Sequence, residues 1–252
     1  MMKIVVNGAS GRMGRELVLC AQNGYRGACL SAAVDVTRPE ADCPTYTTLD
    51  AVCEECDVLV DFSHHSATKS VLDFALLRGI PVVIATTGQT EEEQQMIQQA
   101  AKHIPVFFAG NMSIGIALLV SLVKTAVSTF PDADVEIIET HHNQKLDVPS
   151  GTALLLAHRM QEVLTDSVLL VGRHENGKRT AKEIGIHSLR MGNHAGSHTV
   201  CFGSNEQTLT LTHTAHSPRI YAVGAIRAAE FLLTQKPGLY GMPQLLSHLH
   251  IL

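Results

Sequence analysis

The densest group of reactive side chains falls within one short stretch. Residues 139–153 read E-T-H-H-N-Q-K-L-D-V-P-S-G-T-A and carry two imidazoles, His141 and His142, and one ammonium, Lys145. All three donate protons when charged, and all three pair with carboxylates. The stretch ends in a helix start. Ser150 is a good N-cap, and Pro149 before it keeps the helix from extending backwards. Gly151, Thr152 and Ala153 then offer backbone N–H groups to an anion, and Gly151 lets a ligand approach with no side chain in the way. A reductase that adds a hydride must also add a proton, and His or Lys supplies one. The segment therefore holds an anion cradle beside an acid.

A second chemical signature opens the chain. After the apolar run Ile4-Val5-Val6 come Asn7, Gly8, Ala9, Ser10, Gly11, Arg12, Met13 and Gly14, a G-x-x-G-x-x-G spacing between a strand and a helix. A dinucleotide pyrophosphate belongs at such a turn, against the free N–H groups and positive dipole end of the helix. Gly8 suits the tight turn, Gly11 a close backbone approach and Gly14 the packing of helix on strand. Asp35 stands at the end of the second strand, about twenty residues on, where an acid meets the adenosine ribose hydroxyls. Such an acid favours NADH and repels a 2′-phosphate, whereas Arg12 and Arg38 are placed to offset it. The spacing thus calls for NADH or NADPH without choosing between them.

These residues need a scaffold. In the first half, short β-branched strands at 3–7, 30–34, 58–62, 81–85 and 106–109 alternate with helical stretches at 12–23, 67–78 and 91–103. Continuous apolar strands separated by helices imply a parallel sheet covered on both faces. Near Asn111 the texture changes. Helices at 115–129 and 152–164 are interleaved with strands at 135–140, 180–189, 199–203 and 207–214, with glycine and asparagine turns. A final helix spans 221–233. The expected architecture is α/β: an N-terminal doubly wound Rossmann-type parallel sheet plus a C-terminal α+β domain with an open mixed sheet. Residues 1–112 and 221–252 would form the dinucleotide-binding domain, and 113–220 the substrate-binding and oligomerisation domain.

Bulk properties exclude other classes. The 252 residues are 45% hydrophobic and 17% charged with a net charge of −5, which is no footprint for nucleic acid or an anionic membrane. Residues 1–8 run straight into the glycine loop, unlike a secretory leader, and the longest apolar stretch is broken well short of the roughly 18–20 residues of a membrane span. The expectation is a soluble cytoplasmic protein. Six cysteines show no disulfide framework, and Cys53 and Cys56 form a lone C-x-x-C. Fourteen histidines, among them His64, His65, His194, His198, His213 and His216, show no zinc spacing, so no metal is expected. His64 and His65 follow a strand and are placed to flank the cofactor.

The chain resembles the 4-hydroxy-tetrahydrodipicolinate reductase (dihydrodipicolinate reductase) family. The resemblance rests on G-A-S-G-R-M-G at 8–14, A-T-T-G at 85–88, A-G-N-M-S-I-G at 109–115, the 139–153 block and, more weakly, R-M-G-N-H-A-G-S-H-T at 190–199. It implies that His141 is the proton donor and acceptor, that His142 touches substrate, that Lys145 is the second catalytic donor, and that Gly151 and Thr152 hold a substrate carboxylate. It also implies that Gly8, Ala9, Ser10, Gly11, Arg12, Met13 and Asp35 bind the cofactor, with Ala85, Thr86, Thr87, Ala109, Gly110, Asn111 and Met112 bordering the nicotinamide. The implied reaction reduces a small dicarboxylate to tetrahydrodipicolinate with loss of water, on the diaminopimelate route to lysine, in a homotetramer built through the second domain's sheet. The chain departs from the family at Ala85, often Gly; at Gln89 and Met112, commonly aromatic; at Gln144, often His or basic; and at Val36, often Arg. Two other readings are a reductase of another small dicarboxylate or imine, and a nucleotide-sensing regulatory module. A sensor has no need of Lys145 and His141 beside an anion cradle.

Overall fold

The computed structural model describes residues 1–251, which divide into two compact units, 1–114 with 218–251, and 115–217. The first unit is a parallel sheet of seven strands: β1 (Met2–Asn7), β2 (Ala28–Val34), β3 (Thr45–Tyr46), β4 (Val58–Asp61), β5 (Val82–Ile84), β6 (Pro105–Phe108) and, from the end of the chain, β12 (Gly238–Tyr240). Their order across the sheet is β12-β6-β5-β4-β1-β2-β3. The strand order reverses between β1 and β4, and an open α/β sheet binds its ligand at the carboxyl ends flanking such a switch point.

Strands buried on both faces need apolar residues, and β4, through Val58, Leu59 and Val60, and β5 (V-V-I) supply them. Ile4, Val6, Val58, Val60, Val83 and Phe107 face a core shared with helices α1 (Arg12–Gln22) and α6 (Arg219–Leu232). Val5, Leu59, Val82, Ile84 and Val106 face the opposite core, under α2 (Thr68–Arg78) and α3 (Glu91–Ala100). Helix α3 starts in a capping box. The Thr90 hydroxyl accepts the Glu93 N–H at 3.2 Å, and the Glu93 carboxylate accepts the Thr90 N–H at 2.8 Å. The sequence signals missed the short β3 and β12 and the helix α7 (Met242–His248), which carry too few residues to show a period.

The second unit is a five-stranded mixed sheet. Its members are β7 (Asp134–His141), β8 (Val168–Val171), β9 (Glu183–Arg190), β10 (Gly196–Gly203) and β11 (Thr208–Ala215), in the order β11-β10-β7-β9-β8. Strand β10 runs antiparallel to both β11 and β7, whereas β7, β9 and β8 are mutually parallel. Helices α4 (Ile114–Thr129) and α5 (Gly151–Gln161) cover one face over Val135, Ile137, Ile184, Ile186, Val200 and Phe202. Along β7, Val135, Ile137, Glu139 and His141 alternate inward. The apolar pattern of β7 thus carries two polar residues into the interior at its C-terminal end.

Candidate active site

In the first unit the glycine loop makes the turn the spacing implied. The Gly8 and Ala9 N–H groups both donate to the Val34 carbonyl, at 2.9 and 3.0 Å, locking the loop over β2. Gly8 sits at φ +79°, and a Cβ there would lie 2.6 Å from the backbone of Phe62 and Ser63, so only glycine lets β1 turn this close to the end of β4. Helix α1 then begins at Gly11 with no side-chain cap and no acidic residue in its first turn. Its leading N–H groups therefore face outward beside exposed Arg12, as a pyrophosphate requires. The Asp35 carboxylate accepts the Ser10 N–H at 3.0 Å and the Thr37 N–H at 3.2 Å, so its place at the loop is fixed. Arg38 turns its Nε to the Thr45 hydroxyl at 2.9 Å, and Val36 is 90% exposed. These features fit a pyridine dinucleotide, and no clustered His, Cys, Asp or Glu ligands suited to a metal occur among the described residues.

Sequence reasoning missed a buried carboxylate behind this loop. Asp61, at the end of β4, is 1% exposed and accepts the Asn7 amide at 2.8 Å, the Ser63 hydroxyl at 2.6 Å and the Thr86 hydroxyl at 2.6 Å. It ties the carboxyl ends of β1, β4 and β5 into one rim. Ala85 and Thr86 are buried on that rim, and Thr87 and Gly110 lie side by side and exposed. Ala109 donates its N–H to the Ile84 carbonyl at 3.2 Å, and the Asn111 side chain accepts the Ser113 N–H at 2.9 Å, closing the turn into α4. Met112 is buried, its carbonyl against Gly224 of α6. His64 closes a local turn with Ser66, and His65 pairs with Glu93 at 3.0 Å and lies against Gly88.

In the second unit the end of β7 meets the start of α5. Glu139 is fully buried, and its carboxylate takes both Nη groups of Arg190 at 2.9 Å, the Ser150 N–H at 3.1 Å and the Nδ1 of His141 at 2.5 Å. Burial alone would raise its pKa, but the Arg190 guanidinium, with the His141 and Ser150 donors, outweighs that and draws it down to about 2. Glu139 is therefore a carboxylate, and His141 donates Nδ1–H to it, which leaves the Nε2 lone pair facing away. That Nε2 lies against Gly196, where a Cβ would come within 3.0 Å. Burial pushes His141 below the ordinary imidazole range; Glu139 opposes this, and the nearby Lys145 and Arg190 charges add to the lowering. His141 is neutral at pH 7.

The cradle is built from the same parts. Ser150 caps α5, its hydroxyl accepting the Ala153 N–H at 3.2 Å and pairing with His198 Nε2 at 3.0 Å. His198 is buried, its ring 5.2 Å from that of His141, and burial above all draws its pKa down to about 3. Lys145 holds Asp147 at 2.7 Å, and Asp147 is kept below the ordinary carboxylate range. Partial burial raises it, but Lys145 and the N–H of Gly151 outweigh that. Gly151 itself is exposed, with open space where a side chain would be. His142 is half-buried at the start of the loop, its carbonyl accepting the Lys145 N–H at 3.2 Å. The structure thus gathers His141, Lys145, Gly151 and Thr152 around one helix start, and adds Glu139, Arg190 and His198, to which sequence reasoning had assigned no chemistry.

Comparison with known proteins gives one consistent result. The family model "Dihydrodipicolinate reductase, N-terminus" matches residues 2–112, and "Dihydrodipicolinate reductase, C-terminus" matches residues 115–246. A 4-hydroxy-tetrahydrodipicolinate reductase of Caldanaerobacter subterraneus subsp. tengcongensis is 42% identical over 247 residues, covering 97% of this chain and 98% of the relative. The enzyme of that name from Clostridium tetani is 38% identical over 250 residues, covering 98% of each. Among solved structures, a dipicolinate-bound dihydrodipicolinate reductase from a Paenisporosarcina species superposes with a TM-score of 0.82 at 28% identity, covering 97% of this chain and 99% of that one. A myo-inositol dehydrogenase from Corynebacterium glutamicum, at 14% identity and a TM-score of 0.62 over 94% of this chain and 90% of that one, shares the fold alone.

Proposed function

The chain belongs to the dihydrodipicolinate reductase family, and on that premise we propose how its own residues perform the pyridine-nucleotide-dependent reduction of 4-hydroxy-tetrahydrodipicolinate. The first unit binds the dinucleotide through Gly8, Ala9, Ser10, Gly11, Arg12 and Met13, with Asp35 at the adenosine ribose. Ala85, Thr86, Thr87, Ala109, Gly110, Asn111 and Met112 border the nicotinamide. Bound there, the reduced nicotinamide supplies the hydride. Because Asp35 is fixed at the loop, Val36 stands directly after it and Arg38 is turned to Thr45, NADH is the better cofactor, with NADPH accepted less well.

The second unit binds the substrate. Lys145 and the Gly151 and Thr152 amides hold one carboxylate, and His142 lies beside it. Hydride addition leaves a negative centre that needs a proton, and Lys145, already ion-paired with a carboxylate, delivers it from Nζ. His141 is neutral, with Nδ1–H committed to Glu139, so its Nε2 accepts a proton and passes it on as water leaves. The balance is one hydride and one proton in, one water out, giving tetrahydrodipicolinate. Exposed Ile138 and Leu189 on the uncovered face of the second sheet are where a homotetramer would form.

One observation carries this reading. The Lys145 ammonium already holds a carboxylate, that of Asp147 at 2.7 Å, and its charge reaches a buried neutral histidine, His141. Incubation of the purified protein with 4-hydroxy-tetrahydrodipicolinate and each reduced cofactor tests it. Loss of the cofactor's near-ultraviolet absorbance, faster with NADH, is the expected result. No oxidation of either cofactor would refute the reading.

A further inference from the structure

We propose that Asp147 is an internal stand-in for the substrate: its carboxylate occupies the substrate carboxylate's place on Lys145 and Gly151 and is displaced when the substrate binds. The inference rests on the reading of Lys145 and Gly151 given above. A lysine ammonium and a helix-leading amide are donors only, and a site made of them holds an anion whether or not the substrate is present. Here that anion is Asp147, 2.7 Å from the Lys145 ammonium.

The arrangement is built to let go. The main chain of Asp147 is fixed, because its carbonyl accepts Arg190 Nη2 at 2.6 Å and Arg190 is clamped in turn to buried Glu139. Its side chain is not fixed. The Asp147 side chain is 56% exposed, against 22% for Lys145, and its neighbours Leu146 and Val148 also project into solvent. Rotation about one side-chain bond carries the carboxylate into water without moving the loop. The exchange replaces one negative charge on Lys145 with another, so the charge that His141 experiences is similar before and after binding. Asp147 lowers the substrate's apparent affinity, and its return helps the product leave.

The test is a calorimetric titration of dipicolinate into the cofactor-saturated protein, comparing wild type with Asp147→Asn, Asp147→Ala and Lys145→Gln. If the carboxylate closes the site about 70–90% of the time, both Asp147 variants bind dipicolinate about three- to tenfold tighter, and KM for the substrate falls by a similar factor. Circular dichroism and cofactor affinity, both unaffected at so exposed a side chain, show that the fold persists. Equal or weaker dipicolinate binding by the Asp147 variants overturns the inference, because a residue that merely orients Lys145 would weaken binding when removed. Lys145→Gln separates the two levels. If it binds dipicolinate as wild type does, the site reading itself fails; if it binds weakly while the Asp147 variants gain nothing, only the stand-in role fails.

Discussion

Replacing Glu139 with glutamine keeps the shape of the side chain and removes the charge on which the end of β7 is organised. The carboxylate is fully buried and satisfies two Arg190 N–H groups, the Ser150 amide and the His141 ring. Removing one partner of a buried pair leaves the other charge uncompensated, at a cost of about 3–5 kcal/mol. The titration gives a similar magnitude. A carboxyl drawn from 4.5 to about 2 contributes about 3 kcal/mol at neutral pH, at about 1.4 kcal/mol per pH unit. At about 2–4 °C per kcal/mol in a chain of this size, the thermal midpoint falls by about 6–20 °C at pH 7. The folded pKa lies below the unfolded one, so this stabilisation is complete above pH 4.5 and drains as pH falls towards 2. The carboxylate's own share of the gap between wild type and Glu139→Gln should therefore narrow by about a quarter at pH 4 and by more than half at pH 3. His141 and His198 are also depressed and destabilise the fold on acidification, and because Glu139 opposes both depressions they do so more in Glu139→Gln, which works against that narrowing below pH 6.5. Because the chain has no tryptophan, far-ultraviolet circular dichroism is the readout. A midpoint within 2 °C of wild type at pH 7 would refute the reasoning.

Three further outcomes follow from the same geometry. Gly8→Ala should weaken dinucleotide binding by at least about tenfold, since the added methyl meets the Phe62 and Ser63 backbone at 2.6 Å in a left-handed conformation that costs an alanine about 1 kcal/mol or more; a fluorescence titration with wild-type affinity would contradict it. Asp35→Ser should shift the ratio of kcat/KM for NADH over NADPH towards NADPH by about tenfold, the effect of about 1.4 kcal/mol of repulsion relieved at the ribose, and an unchanged ratio would remove Asp35 from cofactor choice. Gly151→Val should raise KM for the substrate with little change in thermal midpoint, because open space surrounds its missing side chain; normal KM would count against the cradle.

The layered architecture was legible because periodicity and burial speak the same language. The runs V-L-V-D and V-V-I had to be interior parallel strands, and the glycine loop had to follow β1. The 139–153 block showed its chemistry because the cation, cap and glycine lie close together in sequence. What stayed hidden was the chemistry of cross-strand neighbours. Glu139 opened the block, and its alternation with Val135, Ile137 and His141 was a usable sign that it points inward and so needs a partner. The partner lay beyond reach. Arg190 stands opposite His141 on β9 and His198 opposite Glu139 on β10, pairings set by a mixed strand order that local pattern does not encode. Both residues lie in the 190–199 segment, which resembled the family without revealing what its arginine and histidine do. Asp61 was missed for a similar reason: its three partners come from β1, the turn after β4 and the turn after β5.

The claim on which the account turns is that the Lys145 ammonium both anchors a substrate carboxylate and supplies the proton. Steady-state turnover of Lys145→Met with 4-hydroxy-tetrahydrodipicolinate and NADH, beside a cofactor titration of the same protein, examines it directly. The expected result is kcat lower by about 10²–10⁴-fold, KM raised, and cofactor affinity unchanged. Turnover within twofold of wild type at saturating substrate would contradict the account, whatever else the site contains.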